Sequence, residues 1–188
     1  MYKICQTEQS SKRQRAIENG LLALMCKRRY EDISISDLCA YLDIPRKTFY
    51  RYFSGKDGAL YALLDHTMMD FQLEENLSAS HPVSALEELE RFFIFWHNHA
   101  ALLDALERSG QSGILVERAT SFALQEKMMP RYMLSWNPGY QSIALSFAIC
   151  GLMAMVITWH HQRFLYTPQE MTQIATIMLT RPLLQTQA

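Results

Sequence analysis

The sequence predicts an all-α protein of about nine helices, on three observations. Of its 188 residues 49% are hydrophobic and 20% charged, enough apolar side chain for a core and too little net charge for a disordered chain. Glycine (7) and proline (6) are scarce, while Leu, Ala, Met, Glu and Gln, all good helix formers, recur throughout. Apolar residues return at intervals of three and four between short breaks rich in Asn, Ser, Gly and Pro.

Each element has its own signal. Ile17, Leu21, Leu24 and Met25 fall at helical spacing within about 11–28, and the basic run Lys27-Arg28-Arg29 suits the end of that helix. Ser34 stands three residues before Asp37, a capping-box pattern that starts a short second helix ending near Leu42. Pro45 reopens a helix, because its fixed φ and missing N–H are tolerated in a first turn. That leaves Asp43-Ile44-Pro45 as the turn of a helix-turn-helix. The third helix runs from Arg46 to Phe53 and breaks at Ser54-Gly55. A long fourth helix covers about 56–77 and is closed by Ser78-Ala79-Ser80-His81-Pro82. Further helices are predicted at about 83–97, 99–108, 114–134, 139–164 and 168–180, separated by Asn98, Ser109-Gly110-Gln111-Ser112-Gly113, Asn137-Pro138-Gly139 and Thr167-Pro168.

A net charge of −1 conceals an asymmetry: residues 1–60 hold 11 of the 18 Lys and Arg but only 7 of the 19 Asp and Glu. A basic end on an acidic, apolar remainder fits a nucleic-acid-binding head on a body that stays off the polyanion. The third helix sharpens this reading. At ~100° per residue Phe49 and Phe53 share one face, while Lys47, Thr48, Tyr50 and Arg51 spread over the other. A helix that enters the major groove needs such an apolar back and a front of donors and cations. Lys47 or Arg51 could reach a guanine edge, Arg being the better bidentate reader, and Thr48 offers a hydroxyl or a methyl.

The run from Tyr30 to Leu60, above all Thr48-Phe49-Tyr50-Arg51-Tyr52-Phe53 followed by Lys56-Asp57 and Leu60, resembles the DNA-binding head of the TetR/AcrR family of bacterial transcriptional regulators. The resemblance implies a DNA-binding domain at 1–55 and a helical regulatory and dimerisation domain at 56–188. It implies phosphate contacts from Tyr50 and Tyr52, a phosphate held by Lys56 at the start of the fourth helix, and polar contacts from Arg46 and Ser36. The sequence departs from the family where Asp43 replaces a common Gly, Pro45 a Ser or Thr, and Lys47 a small residue.

In the body, no charged residue occurs from Tyr132 to Gln162. The apolar run Ile143–Trp159 sits at the lower limit of the ~17–25 residues that cross a bilayer and is diluted by Ser146, Gly151 and Thr158, which favours a buried helix over a membrane span. Ala144, Ala148, Gly151, Met155 and Thr158 recur at spacings of four and three, a narrow stripe where another backbone could approach; a core helix within one chain meets the same pattern. The resemblance implies that the last two long helices of two protomers form a four-helix dimer interface. It also implies a mostly apolar chamber for a small effector, for which Trp96, His97, Arg118, Phe122, Gln125 and Met129 are candidate lining residues, although aromatic and Met stripes are also ordinary core.

Other chemistries find less support. His97-Asn98-His99 and His160-His161 have spacings that do not face one another on a helix, so no metal site is expected. No cofactor or enzymatic activity is implied, since no Gly-rich phosphate loop and no activated Cys-His pair is visible. Cys5, Cys26, Cys39 and Cys150 form no CxxC pair, and the opening residues hold no apolar signal stretch, which points to the cytoplasm. The function expected is a homodimeric regulator, a repressor that binds an inverted repeat of double-stranded DNA and is released by a small apolar effector. The alternative is a protein–protein interaction module of the same fold whose body docks another protein.

Overall fold

The computed structural model describes residues 2–3, 5, 7–78, 84–125 and 137–180. The fold is all-α. The described residues form nine α-helices: α1 (Glu8–Met25), α2 (Ile35–Tyr41), α3 (Arg46–Tyr52), α4 (Lys56–Ser78), α5 (Ala85–Asn98), α6 (Ala100–Arg108), α7 (Ser112–Gln125), α8 (Pro138–His161) and α9 (Pro168–Thr180). A single turn of 3-10 helix at Tyr30–Asp32 joins α1 to α2. Most bounds match the sequence reading within three residues. α1 starts earlier because Thr7 caps it, accepting from the Ser10 N–H, so the polar opening is helical. The predicted continuation of α7 to 134 and the closing run 79–82 lie outside the described residues, as does Met129.

The chain folds into two compact units, one running through Met68 and taking in Ala101–Arg118, the other comprising Met69–Ala100 and the residues from Ala119 onward. In the first unit α2 packs on α1 and on α3. Its core holds Ile17, Leu21, Met25, Ile33, Leu38, Phe49, Phe53, Leu60 and Leu64. Gly20 interrupts α1 for a packing reason: a Cβ there would come within 2.7 Å of the Leu42 side chain. The C-terminal carbonyls of α1 are satisfied from a distance, Arg108 Nη1 of α6 donating to Met25 O at 2.9 Å and to Cys26 O at 2.6 Å.

In the second unit α5 packs along α9, and Phe93, Phe95, Trp96, Leu145, Met153, Val156, Trp159, Met171 and Ala175 are buried. Phe93 meets Trp159 edge-on at 5.8 Å. The turn after α8 places both Arg163 (φ 56°) and Phe164 (φ 54°) in the left-handed region. It is held by Phe164 N–H donating to Trp159 O at 3.0 Å and by the Phe164 ring against Trp159 at 4.8 Å. α8 is long and apolar enough to cross a membrane, with mean hydropathy 2.0 over its most apolar window.

Three helices begin with the same device. Ser34–Asp37 and Ser84–Glu87 form reciprocal capping boxes, and Thr167 with Glu170 makes the corresponding bonds before α9. Each carboxylate is held below its ordinary value, Asp37 chiefly by the Ser34 hydroxyl, Glu87 by the Ser84 backbone and Glu170 by the Thr167 backbone. A depressed carboxylate contributes stability that is present above its unfolded value and lost as pH falls through the folded one. We therefore expect the thermal midpoint to exceed that of the triple variant Asp37→Asn, Glu87→Gln, Glu170→Gln at neutral pH. On titration past the ordinary values of 4.5 and 3.8 the gap should close, as circular dichroism melts will show.

Candidate nucleic-acid interface

The helix-turn-helix is built by local constraints. α2 ends at Tyr41 with Leu42 as its cap; Asp43 then takes φ 51° and Pro45 is the residue before α3, at φ −62° and ψ 142°. Left-handed backbone costs most residues roughly 1–2 kcal/mol, and Asp tolerates it better than most. That explains how Asp43 stands where the family commonly has Gly. Pro45 sets φ without being asked for an N–H, one place earlier than the first helical turn.

α3 divides cleanly into two sides. Phe49, Tyr52 and Phe53 are buried. Arg46, Lys47, Tyr50 and Arg51 are exposed and, at ~100° per residue, occupy about 140° of the circumference. This face carries three cations, and α3 contains no carboxylate. Arg46 and Tyr50 are already paired, Nη2 donating to the phenol oxygen at 3.3 Å with the guanidinium 5.9 Å from the ring centre. Thr48 is half-buried at the edge, and Ser36 is exposed in the first turn of α2 beside the capping box.

Two residues expected at a phosphate have contacts within the head. Tyr52 is 5% exposed, its ring turned into the head beside Phe53. The Lys56 ammonium donates to Tyr30 O at 2.5 Å and Ile33 O at 2.7 Å and lies 4.1 Å from the centre of the Tyr30 ring. Burial pulls its affinity for the proton below the ordinary range, against Asp57, Glu31 and Asp32, which pull the other way. Lys56 thus ties off the carbonyls of the 3-10 turn, and Tyr30 closes the arrangement by donating its hydroxyl to Asp57 Oδ1 at 2.5 Å. The sequence reasoning also missed Arg108 and the Tyr2–Lys3 segment, whose contacts are all long-range and leave no local pattern.

The candidate chamber residues are dispersed in character. Trp96 is fully buried, His97 is exposed with its ring against Phe164 at 4.8 Å, Phe122 is half-buried and Gln125 exposed. Arg118, which belongs to the first unit, is committed to Asp65 by a two-point ion pair. Of the candidate dimer residues, Gly151 and Thr158 are exposed, Ala144 and Met155 half-buried, and Ala148 is turned into its own unit at 6% exposure.

α2, the turn at 43–45 and α3, with its cationic, carboxylate-free outer face, together form a helix-turn-helix. No protein-family model matches the chain. The HTH-type transcriptional regulator EthR of Mycobacterium tuberculosis is 30% identical over 119 residues, covering 60% of this chain and 51% of that protein, so the chain spans about half the length of the curated relatives it matches. A TetR transcriptional regulator from Streptococcus agalactiae superposes with a TM-score of 0.67 at 19% identity, over 92% of this chain and 96% of that one. A TetR-family regulator from Syntrophomonas wolfei gives a TM-score of 0.67 at 16% identity, over 94% and 100%. The chain has the TetR-like fold and resembles that family of transcriptional regulators.

Replacing Lys56 by Met keeps its apolar stem and removes the charged donor from Tyr30 O and Ile33 O, leaving Tyr30 O only the Ile33 N–H at 3.2 Å. Unfolding in urea should show a loss of about 1.5–3 kcal/mol, the worth of a hydrogen bond from a charged donor. A variant as stable as the parent would return Lys56 to the surface.

Proposed function

We propose that this protein is a homodimeric transcriptional regulator that reads an inverted repeat in double-stranded DNA with α3. The observation that carries the reading is the α3 face, where Arg46, Lys47, Tyr50 and Arg51 stand exposed over a buried Phe49 and Phe53. Arg51 and Lys47 are the candidates for base edges, Tyr50, Arg46 and Ser36 for the backbone, and Thr48 for a contact at the rim. Repression relieved by a small, largely apolar effector in the helical body completes the proposal, supported by the aromatic wealth of α5.

A single three-helix head contacts too few bases for useful specificity, so the reading needs a second copy. Support comes from α8. Tyr140, Ile143 and Phe147 are 65%, 71% and 70% exposed, and with Gly151, Ala154 and Thr158, also exposed, they form a stripe about 80° wide at ~100° per residue. α9 adds exposed Ile177, Met178 and Leu179. A monomer in water rarely leaves so much contiguous apolar surface uncovered.

The DNA reading is tested with duplexes that the parent protein selects from a randomised pool. Changing Lys47, Tyr50 and Arg51 together to Ala should weaken binding at least about a hundredfold, since each good bidentate contact discriminates by roughly 1–3 kcal/mol. Parent affinity should fall by ~0.9 log unit per neutralised phosphate for each tenfold rise in salt. Unchanged affinity in the triple variant overturns α3 as the reader. A weak, sequence-independent shift together with a stable heteromeric partner would favour the interaction-module reading.

The dimer has its own test. Phe147→Glu combined with Ile143→Glu should give a monomer by sedimentation at micromolar concentration and abolish selective binding, with α3 intact. A parent protein that sediments as a monomer with and without duplex contradicts the proposal.

A further inference from the structure

The segment ahead of α1 is fastened into the first unit at two points. Tyr2 pairs with Phe53 in an isolated antiparallel bridge, and Lys3 N–H donates to Tyr52 O at 3.0 Å. The Tyr52 carbonyl is in the last turn of α3, where no intrahelical N–H is available, so Lys3 supplies the partner the helix lacks. Tyr2 then turns its side chain to α4: its hydroxyl donates to Asp65 Oδ2 at 2.7 Å and its ring meets His66 edge-on at 5.9 Å. Asp65 is 5% exposed. Its carboxylate is held by Arg118 of α7, Nε donating to Oδ1 at 2.7 Å and Nη2 to Oδ2. One buried carboxylate therefore joins α7, α4 and, through two residues of extended chain, the exit of α3. Burial, and then the bond to Asp65, keep the Tyr2 phenol protonated far above its ordinary range, so this donor persists at any working pH.

From this geometry we propose that Tyr2 and Lys3 form a strap that fixes the orientation of α3 for DNA, with Asp65 as its clasp. The proposal rests on the DNA reading above and makes Tyr2 and Lys3 positioning residues that need not touch the duplex. The physical reason is directionality. Phe49 and Phe53 bury α3 through contacts that scarcely depend on angle, whereas reading a base edge requires placement within about 0.5 Å and 10–20°. A backbone N–H to the α3 exit and a phenol to a fixed carboxylate both have preferred angles. They also close a loop through α4, whose first residues follow Phe53 after Ser54-Gly55.

Lys3 provides a test that separates the strap from its charge. Lys3→Ala and Lys3→Pro both remove the cation, and only proline removes the N–H that Tyr52 O accepts. In the full-length chain, titrated against the best duplex chosen by the parent, Lys3→Pro should bind roughly three- to tenfold more weakly than Lys3→Ala, the span expected of one hydrogen bond. Tyr2→Phe should lose a similar factor relative to the parent. The double variant Tyr2→Phe, Lys3→Pro should be no weaker than the worse single one, because both cut the same strap. Thermal midpoints should fall by no more than about 2–4 °C, the shift that the loss of one hydrogen bond produces in a chain of this size. Equal affinities for Lys3→Ala and Lys3→Pro, or losses that add in the double variant, overturn the proposal. Hydrogen exchange without DNA gives a second readout: the Lys3 amide should be protected in the parent and freed in Tyr2→Phe while α4 amides are unchanged. If the parent selects no duplex, the DNA reading has failed, and an unprotected Lys3 amide overturns the strap itself.

Discussion

α3 has seven residues, too few for a helix to persist in water on its own, so everything said of its outer face depends on the burial of its inner one. Phe49 is fully buried and Phe53 nearly so. Each such side chain supplies about 1.5–3 kcal/mol on leaving water, the scale on which a marginal helix is decided. The rest of the first unit serves that burial. α2 lies against α1 and α3, and Gly20 keeps α1 close to Leu42 at the end of α2. Lys56 and Arg108 bind carbonyls of the 3-10 turn and of the end of α1. Cations are thus among the polar groups that fasten the head, and those are spent inside it.

That division of labour separates two kinds of basic residue. Arg46, Lys47 and Arg51 are exposed, with no carboxylate among them on α3, so their charge is turned outward. Lys56, Arg108 and Arg118 are engaged with protein acceptors. The surplus of cations in residues 1–60 is therefore an imperfect guide to the field a polyanion would meet, since it counts Lys56 with the outward ones. The three outward cations of α3 are concentrated on a single short helix, which suits recognition better than diffuse attraction.

The sequence made the local features legible because their causes are local. Ser34 and Asp37 announce the start of α2 three residues apart, and the helix bounds follow from caps and breaks. Asp43 stood out as a departure from a familiar pattern, and its φ of 51° shows which backbone requirement that position carries. The contacts of Lys56 are not legible, for the opposite reason. A lysine at a helix start looks the same in sequence whether its ammonium faces solvent or folds back on Tyr30 and Ile33, 23 to 26 residues away. Tyr2, Arg108 and Arg118 share that blindness, since their partners lie 53 to 83 positions off. In α8 the exposed stripe lies one step around the helix from the predicted stripe of small residues and shares Gly151 and Thr158 with it, because apolar character alone does not say which side the rest of the unit covers.

α8 shows how composition and placement must be weighed together. Its length and mean hydropathy of 2.0 satisfy a bilayer as readily as a protein partner. Placement divides the helix: Leu145, Met153, Val156 and Trp159 are buried in its own unit, while Tyr140, Ile143 and Phe147 face outward with Gly151, Ala154 and Thr158. A helix in lipid gains nothing by keeping small and hydroxyl-bearing residues on its outer face. Against a copy of itself, the same residues let two backbones approach between larger side chains. The aromatic ring of Phe147 beside Gly151, one turn along, offers a projection and a recess on one surface, as a two-fold contact between identical faces requires. The outer stripe of α8 is in this sense the counterpart of the outer face of α3, each left uncovered by the unit that builds it.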